Sequence, residues 1–238
     1  MKRLIVAFGF LTRVPMPQVV ADAEDFAAAI RCYPVVGACI GVVVAGAGWV
    51  GAQVDPWTGA LAALTIWVAI TGALHLDGLA DLADGLGAAH GNRDRLIAVM
   101  ADPHIGSFGI VMIALQLIAK LVLLHAVSTQ GWAVVIVVPM LARIGPLCWA
   151  RWVPLLREGG LGGMVAGKIR VHDLVFWGCV TGCLGVPVHA VAGAPALIAV
   201  FGWWLVRRVG GVSGDCHGAG IEFVETGMLV ALAIAGRV

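Results

Sequence analysis

Three aspartates, Asp77, Asp81 and Asp84, recur at spacings of four and three in the stretch TGALHLDGLADLADGLG. On a helix of about 3.6 residues per turn these positions cover an arc of roughly 60°, so all three carboxylates point the same way. Like charges on one face repel. At the end of a membrane span they are costly unless a cation neutralises them or burial keeps some of them protonated. A carboxylate set with no matching His or Cys array suits Mg²⁺, Mn²⁺ or Ca²⁺. Of these, Mg²⁺ characteristically takes one or two carboxylates and completes its shell with substrate phosphate oxygens. The expected metal ligands are therefore Asp77, Asp81 and Asp84, and the expected partner is phosphorylated. Gly78 and Gly85 beside them leave room for a ligand to approach the backbone. The competing reading is a solvated acidic helix whose charges serve its dipole. The flanking Leu76, Leu79, Leu82 and Leu86, in place of balancing basic residues, argue against it.

Two further segments carry groups of the same kind. MADPHIGSFG supplies Asp102, His104 and Ser107, and GGVSGDCHGAGIEFVE supplies Ser213, Asp215 and His217 among crowded glycines. A glycine-rich loop entering a helix presents backbone N–H groups and the positive end of the dipole, which suits phosphate. Glycine is also abundant here, at 33 residues, and serves helix packing in membranes equally well. His75 and His217 form a zinc site with Cys216 only on a weaker reading, since a lone His near a helix end is more often a packing residue. Arg143 and Lys120 are basic residues at membrane depth, where such groups pair with a carboxylate, a carbonyl or an anionic ligand. Arg143 is expected to face the inner cavity and Lys120 to pair or snorkel.

These groups must be positioned by an unusually apolar chain. Of its 238 residues 61% are hydrophobic and 12% charged, against about 25% charged in ordinary soluble domains. The formal net charge of +1 makes no case for nucleic acid. The six cysteines form no CxxC pair and read as apolar fillers. The first residues resemble a signal peptide but run on into Thr12, Arg13, Pro15 and Pro17 with no cleavage site, so an interfacial N-terminal helix is expected.

Windows of about 20 apolar residues give seven candidate spans, at 33–53, 57–76, 105–126, 132–153, 174–191, 195–209 and 221–235. The fifth and sixth are short, and Pro187 between them permits one broken or re-entrant unit. Asp22 is a plausible N-cap for a short surface helix before the first span, with Asp25 at its third position. The expected architecture is all-α: one integral-membrane domain over residues 1–238. Lys2, Arg3, Arg13 and Arg31 precede span one; Arg93 and Arg95 follow span two; Arg157, Lys168 and Arg170 follow span four; Arg207 and Arg208 close span six. The alternate loops carry none, and only Arg237 falls on the other side. Basic residues accumulate in cytoplasmic loops, so the N-terminus and the acidic motifs are placed in the cytoplasm and the C-terminus outside.

The chain resembles the cobalamin synthases, the adenosylcobinamide-GDP ribazoletransferases, nearly from end to end. FLTRVPMP, YPVVGACIG, TGALHLDGLADLADGLG, MADPHIGSFG and GGVSGDCHGAGIE carry the likeness, the aspartate-rich stretch most specifically. The resemblance implies a Mg²⁺-dependent inner-membrane enzyme that joins α-ribazole or its 5′-phosphate to adenosylcobinamide-GDP and releases GMP. It puts the family's acidic motif on Asp77, Asp81 and Asp84 and its later motifs on Asp102 and Asp215. Ala101 and His104 depart from the family pattern, in which basic residues are common there.

Joined to that resemblance, the residue reading assigns Asp77 and Asp81 to metal and Asp84 to metal or proton abstraction. His75 and Asp102 are further catalytic candidates. Gly78, Gly85, Ser107, Arg143, Ser213, Asp215 and His217 are the substrate-side candidates. The partners are adenosylcobinamide-GDP, α-ribazole or its phosphate, and the bilayer, with homo-oligomerisation left open. A CDP-alcohol phosphotransferase or a prenyltransferase also uses helix-borne aspartates, but Asp81 stands where the former expects an Ala-Arg pair. A proton-coupled transporter would want its carboxylates near the midplane rather than at helix ends.

Overall fold

The computed structural model describes residues 1–157, 169–185 and 189–236. Lys168, Pro187 and Arg237 lie outside the described residues. Everything regular among the described residues is helical, apart from one isolated bridge between Leu155 and Val212.

Helices α1 (Lys2–Leu11) and α2 (Ala23–Ala29) lie ahead of the first long helix, α3 (Tyr33–Gly51). Asp22 caps α2 as its sequence position suggests, accepting from the Asp25 N–H at 2.8 Å. Lys2 pairs with Asp25, which ties α1 to α2. α4 (Pro56–Thr71) begins where Asp55 accepts from the N–H groups of Trp57 and Thr58. It ends at Gly72 and Ala73, two successive left-handed residues with φ of +60° and +59°. That pair turns the chain by 84° into α5 (Leu74–Ala89), which carries the aspartates. A Cβ on Gly72 would also overlap the side chain of Arg13, whose own N–H donates to the Ile70 carbonyl at 2.8 Å. The second expected span therefore stops at Thr71 instead of running straight through residue 76.

Next come α6 (Arg93–Met100), α7 (Ser107–Ser128), α8 (Val137–Ala142) and α9 (Gly145–Trp152). α8 and α9, with a 3-10 turn before them, make one broken span over Trp132–Trp152. The last three are α10 (Val171–Gly185), α11 (Gly193–Arg208) and α12 (Gly214–Ala235). Five helical stretches are long and apolar enough to cross a bilayer, and a sixth is obtained if α4 and α5 are taken as one bent unit. Seven separate spans are not recovered among the described residues: α10, at 15 residues, is shorter than the roughly 20 that a span needs, and it occupies the fifth segment, expected to be short.

α12 lies at the centre, packed on α5, α7, α8, α9 and α11, while α3 packs on α4 and α8. α7 is the most apolar of the spans, yet only 17% of its central window is buried. Its outward residues, among them Ile110, Leu115, Ile118 and Val122, are exposed. Large apolar side chains turned outward along a 22-residue helix face lipid, and the chain is a multi-pass membrane protein.

The interior holds an ionic cluster. Lys120 of α7 reaches Glu222 of α12 at 2.7 Å and also contacts Glu225, while Arg143 reaches Glu225 at 2.8 Å and the Pro139 carbonyl at 2.9 Å. Gln116 donates to Glu222 and Thr226, and the Lys120 ammonium sits 4.6 Å from the centre of a Trp67 ring. Two cations and two carboxylates balance formally, as burial away from water requires.

Candidate active site

α5 and α12 cross so closely that a Cβ on Gly78 would lie 2.7 Å from the Asp215 carbonyl oxygen and 2.9 Å from its Cα. The crossing brings the first acidic motif against the last. Asp81 lies within electrostatic reach of Asp77, Asp215 and Asp84. Asp77 is exposed, Asp81 and Asp215 are half-buried, and Arg157 lies close enough to act on Asp215. Neither the Asp77 nor the Asp81 carboxylate has a hydrogen-bond or ion-pair partner among the described residues. Asp215 accepts from the Ser213 hydroxyl at 3.2 Å, and Ser213 also accepts from the Cys216 N–H and so caps α12.

Asp84 is held differently. Its two oxygens accept from the Gly106 N–H at 2.8 Å and the Gly109 N–H at 2.9 Å, so it caps α7 from another helix. A Cβ on either glycine would collide with that carboxyl group. Asp84 is buried, with both oxygens engaged, and it already occupies the N-terminal end of α7. The expectation that Asp84 is a metal ligand or base gives way to a positioning role.

Three substrate-side candidates, Gly78, Gly85 and Arg143, are reassigned by the same test of what each touches. The space beside Gly78 is filled by Asp215 backbone, and that beside Gly85 by the Met100 side chain, so both glycines serve helix packing. Arg143 is fully buried on Glu225 and does not line the site. Ser107 is exposed at the first turn of α7. Asp102 and His104 lie on an exposed loop, joined by a 2.7 Å side-chain contact. Hydrogen bonds from the His104 backbone and ring hold the Asp102 carboxyl below the usual carboxylate range.

A cavity of about 160 Å³ opens beside Asp77 and Asp215. His75 and His217 line it, which places both predicted histidines at the site, and the Nε2 atom of His75 and the Nδ1 atom of His217 are buried with no partner among the described residues. Phe10, Phe26 and Tyr33 form its far wall, with Phe10 edge-on to Phe26 at 5.3 Å and stacked on Tyr33 at 6.0 Å. Reading the residues one at a time missed this wall. Its only signal was that FLTRVPMP and YPVVG belonged to the shared motifs.

A metal fits this donor set only in part. No three His, Cys, Asp or Glu side chains among the described residues converge into a ready cage. Asp77 and Asp81, without partners among the described residues, and Asp215 nearby nevertheless offer only oxygen donors, which suits a hard cation whose remaining ligands come from water and phosphate.

The family model for cobalamin-5-phosphate synthase matches residues 3–233. The chain belongs to the cobalamin-5-phosphate synthase family. A curated adenosylcobinamide-GDP ribazoletransferase of Novosphingobium aromaticivorans is 50% identical over 99% of this chain and 98% of its own length. Proteins of the same name from Laribacter hongkongensis and Thiobacillus denitrificans are 46% and 42% identical, over 100% and 99% of this chain and 98% of each relative. No solved structure matches. All the segments that carry the resemblance fall inside the matched range; residues of FLTRVPMP, YPVVGACIG, TGALHLDGLADLADGLG and GGVSGDCHGAGIE line the cavity beside the α5–α12 crossing, and MADPHIGSFG is held to α5 through Asp84.

Proposed function

We propose that the protein is an adenosylcobinamide-GDP ribazoletransferase of cobalamin synthesis, working at the cytoplasmic face of the inner membrane with Mg²⁺. The observation that carries the site assignment is the α5–α12 crossing, which brings Asp215 within electrostatic reach of Asp77 and Asp81, with Asp77 and Asp215 lining a cavity. The lysines and arginines of alternate loops support the cytoplasmic orientation.

In the proposed reaction a ribazole hydroxyl oxygen attacks the phosphorus that carries cobinamide. The bond from that phosphorus to the GMP oxygen breaks, and GMP leaves as the new phosphodiester forms. Asp77 and Asp81 would hold Mg²⁺. Bound there, it would supply charge neutralisation on the pyrophosphate. Asp215, on the cavity rim, is placed to take the proton of the attacking hydroxyl, and His75, inside the cavity, to orient the acceptor. Asp84 fixes α7 against α5 and keeps the aspartate face in register.

Purified protein in lipid vesicles, given adenosylcobinamide-GDP, α-ribazole and Mg²⁺, should form one equivalent of GMP per joined corrinoid product. Counterflow of a solute without product nucleotide would support the transporter reading instead.

A further inference from the structure

The cavity is built for only part of a substrate. Pockets for drug-sized ligands run to roughly 300–1,000 Å³, whereas this one encloses about 160 Å³, too little for a corrin macrocycle. Its walls are apolar and largely flat: Phe10, Phe26 and Tyr33 on one side, Leu74, Pro146 and Ile221 around them. Its lining also includes two imidazoles, His75 buried and His217 half-buried, and the His75 Nε2 and His217 Nδ1 atoms lack partners among the described residues. Asp77 and Asp215 stand at the same cavity. An acyl chain would fill the apolar space but leave both nitrogens unsatisfied, which buried polar groups rarely tolerate. A flat aromatic ring bearing ring nitrogens and a sugar answers both demands.

We infer that this cavity is the acceptor subsite, in which Phe10, Phe26 and Tyr33 hold the bicyclic benzimidazole base of ribazole and His75 hydrogen-bonds its nucleoside, leaving the ribose directed at Asp77 and Asp215. The inference rests on the transferase reading given above. It makes the N-terminal helices α1 and α2 part of the substrate-selecting machinery rather than mere surface anchors. It also assigns base selection to aromatic side chains, which favour an apolar benzimidazole over a purine with its exocyclic polar groups.

The test separates acceptor from donor. In vesicles, Phe10→Ala and the cavity-filling Leu74→Trp should raise KM for ribazole roughly three- to tenfold, with KM for adenosylcobinamide-GDP within about twofold of wild type. Phe10→Ala should also narrow the preference for ribazole over adenosine. The unchanged donor KM shows that each variant is folded. Calorimetric binding of α-ribazole alone, without the corrinoid, should weaken in step, and this readout stands even if GMP release fails and the transferase reading falls. Donor KM rising while acceptor KM holds, binding of ribazole unaffected by both substitutions, or labelling of Phe10 and Phe26 by a photoreactive acyl lipid in place of a photoreactive benzimidazole would each overturn it.

Discussion

Asp77, Asp81 and Asp84 share a helix face by spacing, yet their surroundings divide them. Asp84 has both oxygens satisfied by the N–H groups of Gly106 and Gly109, whereas Asp77 and Asp81 are left for something outside the protein. Substituting Asp84→Asn removes one acceptor oxygen and the charge at the α7 terminus, so it should lower stability by about 1–3 kcal/mol, read as a drop in the midpoint of thermal unfolding in detergent. Asp77→Asn should leave that midpoint unchanged while abolishing GMP release. The sequence carried the candidates but could not separate them, because the partners of Asp84 lie 22 and 25 residues away, across a helix boundary. Arg143 shows the same limit: its depth was legible, and its engagement with Glu225 instead of substrate was not.

Two features of the elements place the site. The left-handed pair at Gly72 and Ala73 swings α5 off the axis of α4, and the absence of a side chain at Gly78 lets α5 reach the backbone of α12. Hydropathy alone sees a continuous apolar run through residues 57–76, so the bend was invisible to it, while the ends of α3, α7 and α11 fell within about two residues of expectation. Gly78→Val should drive α5 away from Asp215, and the expected result is loss of GMP release with the protein still inserted in the membrane. Gly72→Val, which meets both the positive φ and the Arg13 side chain, should destabilise by about 1–3 kcal/mol, measured by thermal unfolding.

At the scale of the whole molecule, an apolar exterior and a charged interior are held together by α12. Glu222 and Glu225 sit in the middle of α12, and their pairing with Lys120 and Arg143 locks α7, α8 and α12 into one body behind the site. Removing one partner leaves buried charge uncompensated, so Glu225→Gln should cost about 3–5 kcal/mol, seen as a marked loss of folded protein on extraction. The apolar spans and their lipid-facing surfaces follow from composition and periodicity, whereas the pairing across α7 and α12 depends on contacts more than 100 residues apart and has no local signature. On the proposed reading, Asp77 and Asp81 would hold a divalent ion at the α5–α12 crossing. The most direct test of that reading is GMP release from adenosylcobinamide-GDP and α-ribazole in vesicles, titrated with chelator and Mg²⁺, for the wild type and for Asp81→Asn. The wild type should lose release on chelation and regain it with Mg²⁺, and folded Asp81→Asn should stay inactive throughout; chelator-resistant release, or near-normal turnover by the variant, would contradict it.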